Sequence, residues 1–292
     1  MDVKFAKMHG LGNDFVVIED LAEEIDLSED AVRWFCDRRF GIGADGLILV
    51  RPATTATADF FMQYYNADGS QAEMCGNGIR CLAKFVVDGG LVEAMTESIE
   101  VDTLGGTRRI TFTRDRESRL DTATVDMGEP ILDAAAIPTT FSGAQVFECP
   151  VETPHGTYRV TAISMGNPHA VVFVDDVDEA PVDTVGPAIE SHEAFPNKTN
   201  VEFVQHVVDE LLAVRVWERG VGETLACGTG ACASLVAASL ACLVGRTATI
   251  RLPGGDLFVR WHEDGHVYMT GSATNVFAGT LTILEEEDGE PV

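Results

Sequence analysis

The chain has 292 residues, 46% of them hydrophobic, and a formal net charge of −27. That apolar content can build a core, which excludes disorder, and the length suits one large domain or two ordinary ones. The acidic balance excludes nucleic acid and anionic membranes as partners, and no stretch reaches the ~20 apolar residues of a membrane helix. The longest candidate, Ala231 to Val244, is interrupted by serines. The opening Met1-Asp2-Val3-Lys4 runs into a strand pattern without the look of a secretory leader, so a cytoplasmic location is expected. Only four of the 20 basic residues are lysines, an acidic surface suited to a salt-rich cytoplasm that screens self-repulsion.

In chain order, Lys4 to His9 alternates as a strand, Gly10 to Asp14 is a turn, and Phe15 to Glu19 is a second strand. Ser28 caps a helix expected to run to about Arg39. The Gly-rich loop Phe40 to Gly46 precedes the strand Leu47 to Val50, and Asp59 to Tyr65 is another strand. The turn Asn66 to Ser70 leads to Met74-Cys75-Gly76-Asn77-Gly78 and a helix from about Gly78 to Val87. Strands at Ile99–Leu104, Arg108–Thr113 and Thr122–Met127 follow, and Gly128 to Pro138 is the linker.

The second part repeats this plan. Val146 to Glu152, Tyr158 to Ser164 and Ala170 to Val174 are strands, with the turn Met165 to His169 between the last two. A helix spans about Val185 to Glu193, and Asn200–Val204 and Leu212–Trp217 are strands. Ala226-Cys227-Gly228-Thr229-Gly230 then opens a helix through Val244, and four strands follow, the last at Thr280–Leu284. The acidic run Glu285 to Asp288 reads as a solvated end.

Four features recur in the same order: Gly12-Asn13 and Gly166-Asn167; Gly46-Leu47 and Asn200-Val201; Asn66 and Glu218, each nine residues before a cysteine; Leu104-Gly105-Gly106 and Leu252 to Gly255. This order indicates an internal duplication. The segment Gly230 to Val244 has no polar face, so it must be buried all round. The expected fold class is therefore α+β, with two pseudo-symmetric domains, each a central helix wrapped by a curved, mainly antiparallel sheet. The halves are residues 1–128, completed by a C-terminal strand at 277–292, and residues 129–276. The active site is expected in the cleft between them.

The seven cysteines are an odd count without a leader, which argues against a disulfide framework, and the absence of CxxC argues against a zinc ribbon. Cys36, Cys81, Cys149, Cys232 and Cys242 sit among apolar residues as core thiols. Cys75 and Cys227 differ, because each precedes a Gly-x-Gly turn at a helix start. Such a turn binds anions with free N–H groups and acidifies a thiol. Two thiols on opposite sides of one carbon can invert it: one thiolate removes a proton and the other thiol delivers one. Helix N-termini aimed at an adjacent carboxylate stabilise the developing charge, and neither metal nor cofactor is required.

The motifs Lys7 to Phe15, Asn66 to Ser70, Met74 to Gly78, Ser164 to His169, Glu218-Arg219-Gly220 and Ala226 to Gly230 together resemble the diaminopimelate epimerase family over nearly the whole chain. The resemblance implies a two-base epimerase that interconverts LL- and meso-diaminopimelate on the route to lysine, and a homodimer. It carries the acid–base pair onto Cys75 and Cys227. It assigns Gly76, Asn77, Gly228 and Thr229 to the reacting carboxylate, and Asn13, Asn66, Asn167, Asn200, Glu218 and Arg219 to the distal end. It makes His169 and Glu218 assistants to the thiols, leaving open which serves which. Gly46 departs from the Gln of some relatives, so that contact does not carry over.

Judged alone, His169 is a turn histidine, the Asn residues are ordinary turn formers, and Glu218-Arg219 is a surface ion pair of little worth. A proline or hydroxyproline racemase of the same architecture is the first alternative; Asn66, Glu218 and Arg219 favour a substrate with a distal amino acid. A thiol redox protein using Cys75 with Cys81 or Cys227 with Cys232, and a non-catalytic amino-acid-binding module, rank lower.

Overall fold

The computed structural model describes residues 2–282; the acidic run Glu285–Asp288 and the end of the expected last strand lie outside the described residues. The first half runs β1 (Asp2–Gly10), β2 (Asn13–Glu19), α1 (Glu29–Cys36), β3 (Gly46–Pro52), β4 (Phe60–Asn66), β5 (Gln71–Ala72), α2 (Gly76–Asp88), β6 (Ser98–Asp102), β7 (Arg108–Arg114) and β8 (Leu120–Asp126). The second runs β9 (Cys149–Thr153), β10 (Gly156–Ser164), β11 (Pro168–Phe173), α3 (Val182–Glu190), β12 (Asn200–Val208), β13 (Leu211–Glu218), β14 (Gly222–Thr224), α4 (Gly228–Leu240), β15 (Thr247–Leu252), β16 (Gly255–Trp261), β17 (Val267–Gly271) and β18 (Thr274–Thr282).

The pairing repeats along with the order. β2 lies parallel to β3 with Phe15 opposite Gly46, and β11 lies parallel to β12 with His169 opposite Asn200. β4 runs parallel to β6 across α2, and β13 runs parallel to β15 across α4. Parallel neighbours need a crossover connection, which places a helix between each pair. The remaining pairings are antiparallel. β8 pairs with β17 and joins the halves, while β18 returns to pair with β1.

Strand alternation sorts the helices into two layers. On β2, Phe15 and Val17 face the core that holds α2, whereas Val16 and Ile18 face α1. On β12, Val204 faces the α4 core, whereas Val201 and Phe203 face α3. Strands surround α4, whose residues Gly230 to Ala238 are all buried. Its alanines let those strands approach closely. The inner faces of both halves and both central helices form one continuous core, so removing Leu235 to Ala would cost about 2–5 kcal/mol.

Several elements differ from expectation. α1 stops at Cys36 rather than Arg39, because the Asp37 carboxylate accepts the Arg39 and Phe40 N–H groups and turns the chain. α3 begins three residues early, after Pro181. α4 ends at Leu240: the Leu243 N–H donates to Ala238 O around Cys242, which is left-handed at φ 57°. Cys242 is consequently exposed and Cys149 is half-buried, so neither is a core thiol. The strand expected at Val146 starts only at Cys149, beyond Glu148 at φ 47°. β18 begins at Thr274, earlier than the expected 277. The short strands β5 and β14, which the sequence did not signal, hairpin back onto β4 and β13 just before each cysteine motif.

Candidate active site

Cys75 and Cys227 are the N-cap residues of α2 and α4, with matching extended conformations of φ −132°, ψ 119° and φ −120°, ψ 114°. Each sulfur accepts the N–H three residues on, from Gly78 at 3.5 Å and Gly230 at 3.4 Å. The first helical hydrogen bonds run from Ile79 N–H to Cys75 O and from Ala231 N–H to Cys227 O. The N–H groups of Gly76, Asn77, Gly228 and Thr229 therefore precede the helical ladder and carry the positive ends of both dipoles.

The two helix starts abut. A methyl group built on Gly228 would stand 3.6 Å from the Gly76 Cα and 3.1 Å from the Met269 sulfur, so a side chain here would press on Met269. The Asn77 side chain crosses the boundary to donate to Ala226 O at 3.0 Å. Below it, the fully buried Arg80 donates to Gly76 O, Asn77 Oδ1 and Ser272 O, fixing the first turn of α2.

The surroundings of the thiols differ. The Cys75 thiol donates to Asn13 Oδ1 at 3.7 Å, and Asn77 Nδ2 donates to the same oxygen at 3.1 Å. Asn13 is oriented by its own Nδ2, which donates to Asp45 at 2.9 Å. Asp45 and Asp14 are gripped by Arg38, and Asp14 also meets Lys7 at 2.6 Å. Against its burial, the Arg38 and Lys7 contacts hold the Asp14 carboxyl below the usual range.

On the other side, Cys227 Sγ lies 3.5 Å from the Thr229 hydroxyl, which accepts from Asn167 Nδ2 at 3.3 Å. Asn167 Oδ1 lies 3.0 Å from His169 Nε2, and His169 Nδ1 lies 2.7 Å from Glu202 Oε1. His169 and Glu202 are both wholly buried. Glu218 accepts from Thr224 at 2.6 Å. Its carboxyl is pushed up chiefly by burial, with Glu202 adding to the effect.

Burial also decides the thiols. The Cys75 thiol is pushed up to about 11, because desolvation outweighs the Gly78 and Asn77 N–H groups that pull it down. Cys227 is raised well above the ordinary thiol value by burial and then by the negative fields of Glu218 and Glu202. The acidified thiols expected from helix-start position are thus corrected: the dipole is present, but burial outweighs it.

Of the other expected residues, Asn66 is half-buried and donates to Ser70 Oγ at 3.0 Å. Asn200 is buried with both ends of its amide engaged, by Pro168 O and by the Arg219 N–H, so it clamps two turns together. Arg219 is exposed; its guanidinium bonds Asn197 O and has no carboxylate partner among the described residues. At Gly46 a side chain would strike the Tyr64 ring at 2.7 Å, so Tyr64 fills that space.

Sequence reasoning missed Glu202, Arg80 and Asp45. Glu202 was detectable in principle, because the duplication aligns it with the core-facing Ile48. The pairing of Glu202 with Val216 repeats that of Ile48 with Tyr64.

The duplicated helix-in-sheet fold recurs in solved structures of low sequence identity. A hydroxyproline epimerase from Agrobacterium vitis, solved with trans-4-hydroxy-L-proline, superposes with a TM-score of 0.69 at 16% identity, covering 96% of this chain and 92% of its own. At that identity the likeness concerns the fold. Residues 5–132 and 161–276 match the diaminopimelate epimerase family, and the chain belongs to it. It is 48% identical over 282 residues to a diaminopimelate epimerase of Methanococcus maripaludis strain C5, covering 96% of this chain and 100% of that one. It is 50% identical over 278 residues to one of Pelotomaculum thermopropionicum, covering 94% and 97%.

Proposed function

We infer that this protein is an isomerase that epimerises LL-diaminopimelate to meso-diaminopimelate, on the route to lysine, by a two-base mechanism. The observation that carries this reading is the pair of N-cap thiols, Cys75 and Cys227, on two helices whose N-termini abut at Gly76 and Gly228. One cysteine, as thiolate, takes the α-proton and becomes a thiol. The other, as thiol, returns a proton to the opposite face and becomes the thiolate. The carboxylate charge that builds between these steps falls to the N–H groups of Gly76, Asn77, Gly228 and Thr229. Glu218 and the His169 chain assist on the Cys227 side. The exposed Arg219 guanidinium, which meets no carboxylate among the described residues, suits the distal carboxylate as a bidentate partner, with Asn66, Asn167 and Glu218 around the distal amino group.

No helix among the described residues is long and apolar enough to cross a membrane, which is compatible with a cytoplasmic site of action. A homodimer is supported by β18, which pairs with β1 alone among the described strands and exposes Val276 and Phe277. Sedimentation at several concentrations tests it.

The functional reading is tested by incubating the purified protein with LL-diaminopimelate, L-proline and trans-4-hydroxy-L-proline in low and molar salt, with chiral chromatography of the products. Diaminopimelate alone should convert, more stably in salt. Turnover of proline with equal kcat/KM would favour the racemase reading, which the shared fold keeps as the second choice.

A further inference from the structure

The buried pair beneath Cys227 has no counterpart in the first half. Where His169 and Glu202 stand, the duplication places Phe15 and Ile48, both apolar and both buried. Glu202 is core-facing, close enough to α4 that a methyl on Gly230 would meet its Oε1 at 2.7 Å. Its second oxygen, Oε2, is buried without a hydrogen-bond partner among the described residues. A wholly buried acid at a position that packing would fill with isoleucine calls for a role.

The hydrogen bonds indicate that role. His169 Nε2 faces Asn167 Oδ1, an oxygen that can only accept, so Nε2 carries a hydrogen. His169 Nδ1 meets Glu202 Oε1 at 2.7 Å, so one proton lies in that contact, whichever atom bears it. With its oxygen committed to His169, Asn167 presents its NH2 to Thr229. The Thr229 oxygen is then an acceptor, and its own hydrogen is free for Cys227 Sγ, 3.5 Å away. In the first half the corresponding amide is turned the other way. Asp45 takes the NH2 of Asn13, so Asn13 presents its oxygen to Asn77 and to the Cys75 thiol.

We propose that Glu202 is a positioning residue: through His169 it fixes the Asn167 amide, and so turns the Thr229 hydroxyl hydrogen toward Cys227, where the corresponding Asn13 amide turns an acceptor oxygen toward Cys75. The two sulfurs thereby meet opposite side-chain partners, a hydroxyl donor at Cys227 and an amide acceptor at Cys75, a difference suited to the thiolate and thiol that two-base catalysis needs together. This rests on the catalytic reading of Cys227. The titratable groups around that sulfur are Glu218 from β13, Glu202 from β12 and His169 from β11. Both acids oppose its ionisation by charge, and the donor chain is the counterweight.

Those opposed effects give a signed test that needs no turnover. Iodoacetamide alkylation of Cys75 and Cys227 is followed against pH by site-resolved mass spectrometry. In E202L the Cys227 midpoint should move up by about one pH unit while that of Cys75 stays. E202Q, which offers Nδ1 a partner without the charge, should fall nearer to wild type. A downward move of Cys227 in E202L, as expected if Glu202 acted only as a charge, would overturn the proposal. So would no move, or an equal move at both cysteines. If E202L does not fold, the double variant H169F/E202I rebuilds the apolar pair of the first half. The same upward move is expected there, and its absence is equally fatal. Failure of the catalytic reading is separate, since it would appear as turnover by a Cys227→Ala protein whatever the alkylation profile.

Discussion

The two halves share a backbone and differ in what lies under their cysteines. Cys75 stands over Phe15 and Ile48 and is addressed by an amide whose far end is tied to Asp45 and Arg38 near the surface. Cys227 stands over His169 and Glu202, deep in the core. The helix beneath Cys75 carries the buried Arg80, whereas α4 has Cys232 at the matching position. Duplication therefore supplied two equal thiols on equal N-caps, and substitution at a few core positions made their surroundings unequal. On the proposed reading, the geometry for inverting a carbon lies in the repeated backbone, while the difference between the two thiols lies in unrepeated side chains.

The largest effect should come from the feature the halves share. Cys75→Ala and Cys227→Ala should each lower the epimerisation rate by about 10³-fold or more, the scale of losing a positioned acid or base, read by chiral chromatography. If only one of them mattered, the equivalence of the halves would be lost. Next comes the unequal support of the helices. Arg80→Ala removes the guanidinium hydrogen bonds to Gly76 O, Asn77 Oδ1 and Ser272 O and should cost about 2–4 kcal/mol by urea unfolding. Cys232→Ala, which removes one buried sulfur, should cost less, about 1–2 kcal/mol.

The pH dependence follows from the thiols. A thiolate is required, and both thiols titrate above the ordinary value, Cys75 at about 11. At neutral pH the reactive thiolate is therefore scarce and its fraction grows with pH. The logarithm of kcat/KM should climb through the mildly alkaline range with a slope near one, and a plateau already reached at neutrality would contradict the burial argument. The smallest effect is expected at Asp45, whose side chain is 43% exposed. Asp45→Ala loosens Asn13 and should lower kcat by about 3–10-fold without changing the fold, a readout of how much the Cys75 side depends on its surface anchor.

The legible part of this molecule was the part written in local spacing. A Cys-Gly-x-Gly turn before an apolar run places a thiol on a helix start wherever the chain goes, and its recurrence gave both halves, both central helices and the pairing of Cys75 with Cys227. Partnerships set by register were not legible. His169 and Glu202 are 33 residues apart and meet because β11 and β12 run parallel with their core faces aligned. The direction of the thiol shifts was misread because dipole position can be read from sequence, whereas the depth of burial that outweighs it cannot. The end of α4 was missed because nothing polar marks it. Ala241 to Val244 continues the apolar run, and the helix closes through the left-handed Cys242 where a glycine would have been the usual signal.

Under the proposed two-base mechanism, two thiols on opposite faces exchange one proton each. This is tested most directly by turning over LL-diaminopimelate in deuterium oxide and examining the meso product and the residual substrate at low conversion. Every product molecule should carry one solvent deuteron at the inverted carbon, while unreacted substrate keeps its original hydrogen. Product that retains the substrate's own α-hydrogen would show a single base acting on both faces and would contradict it.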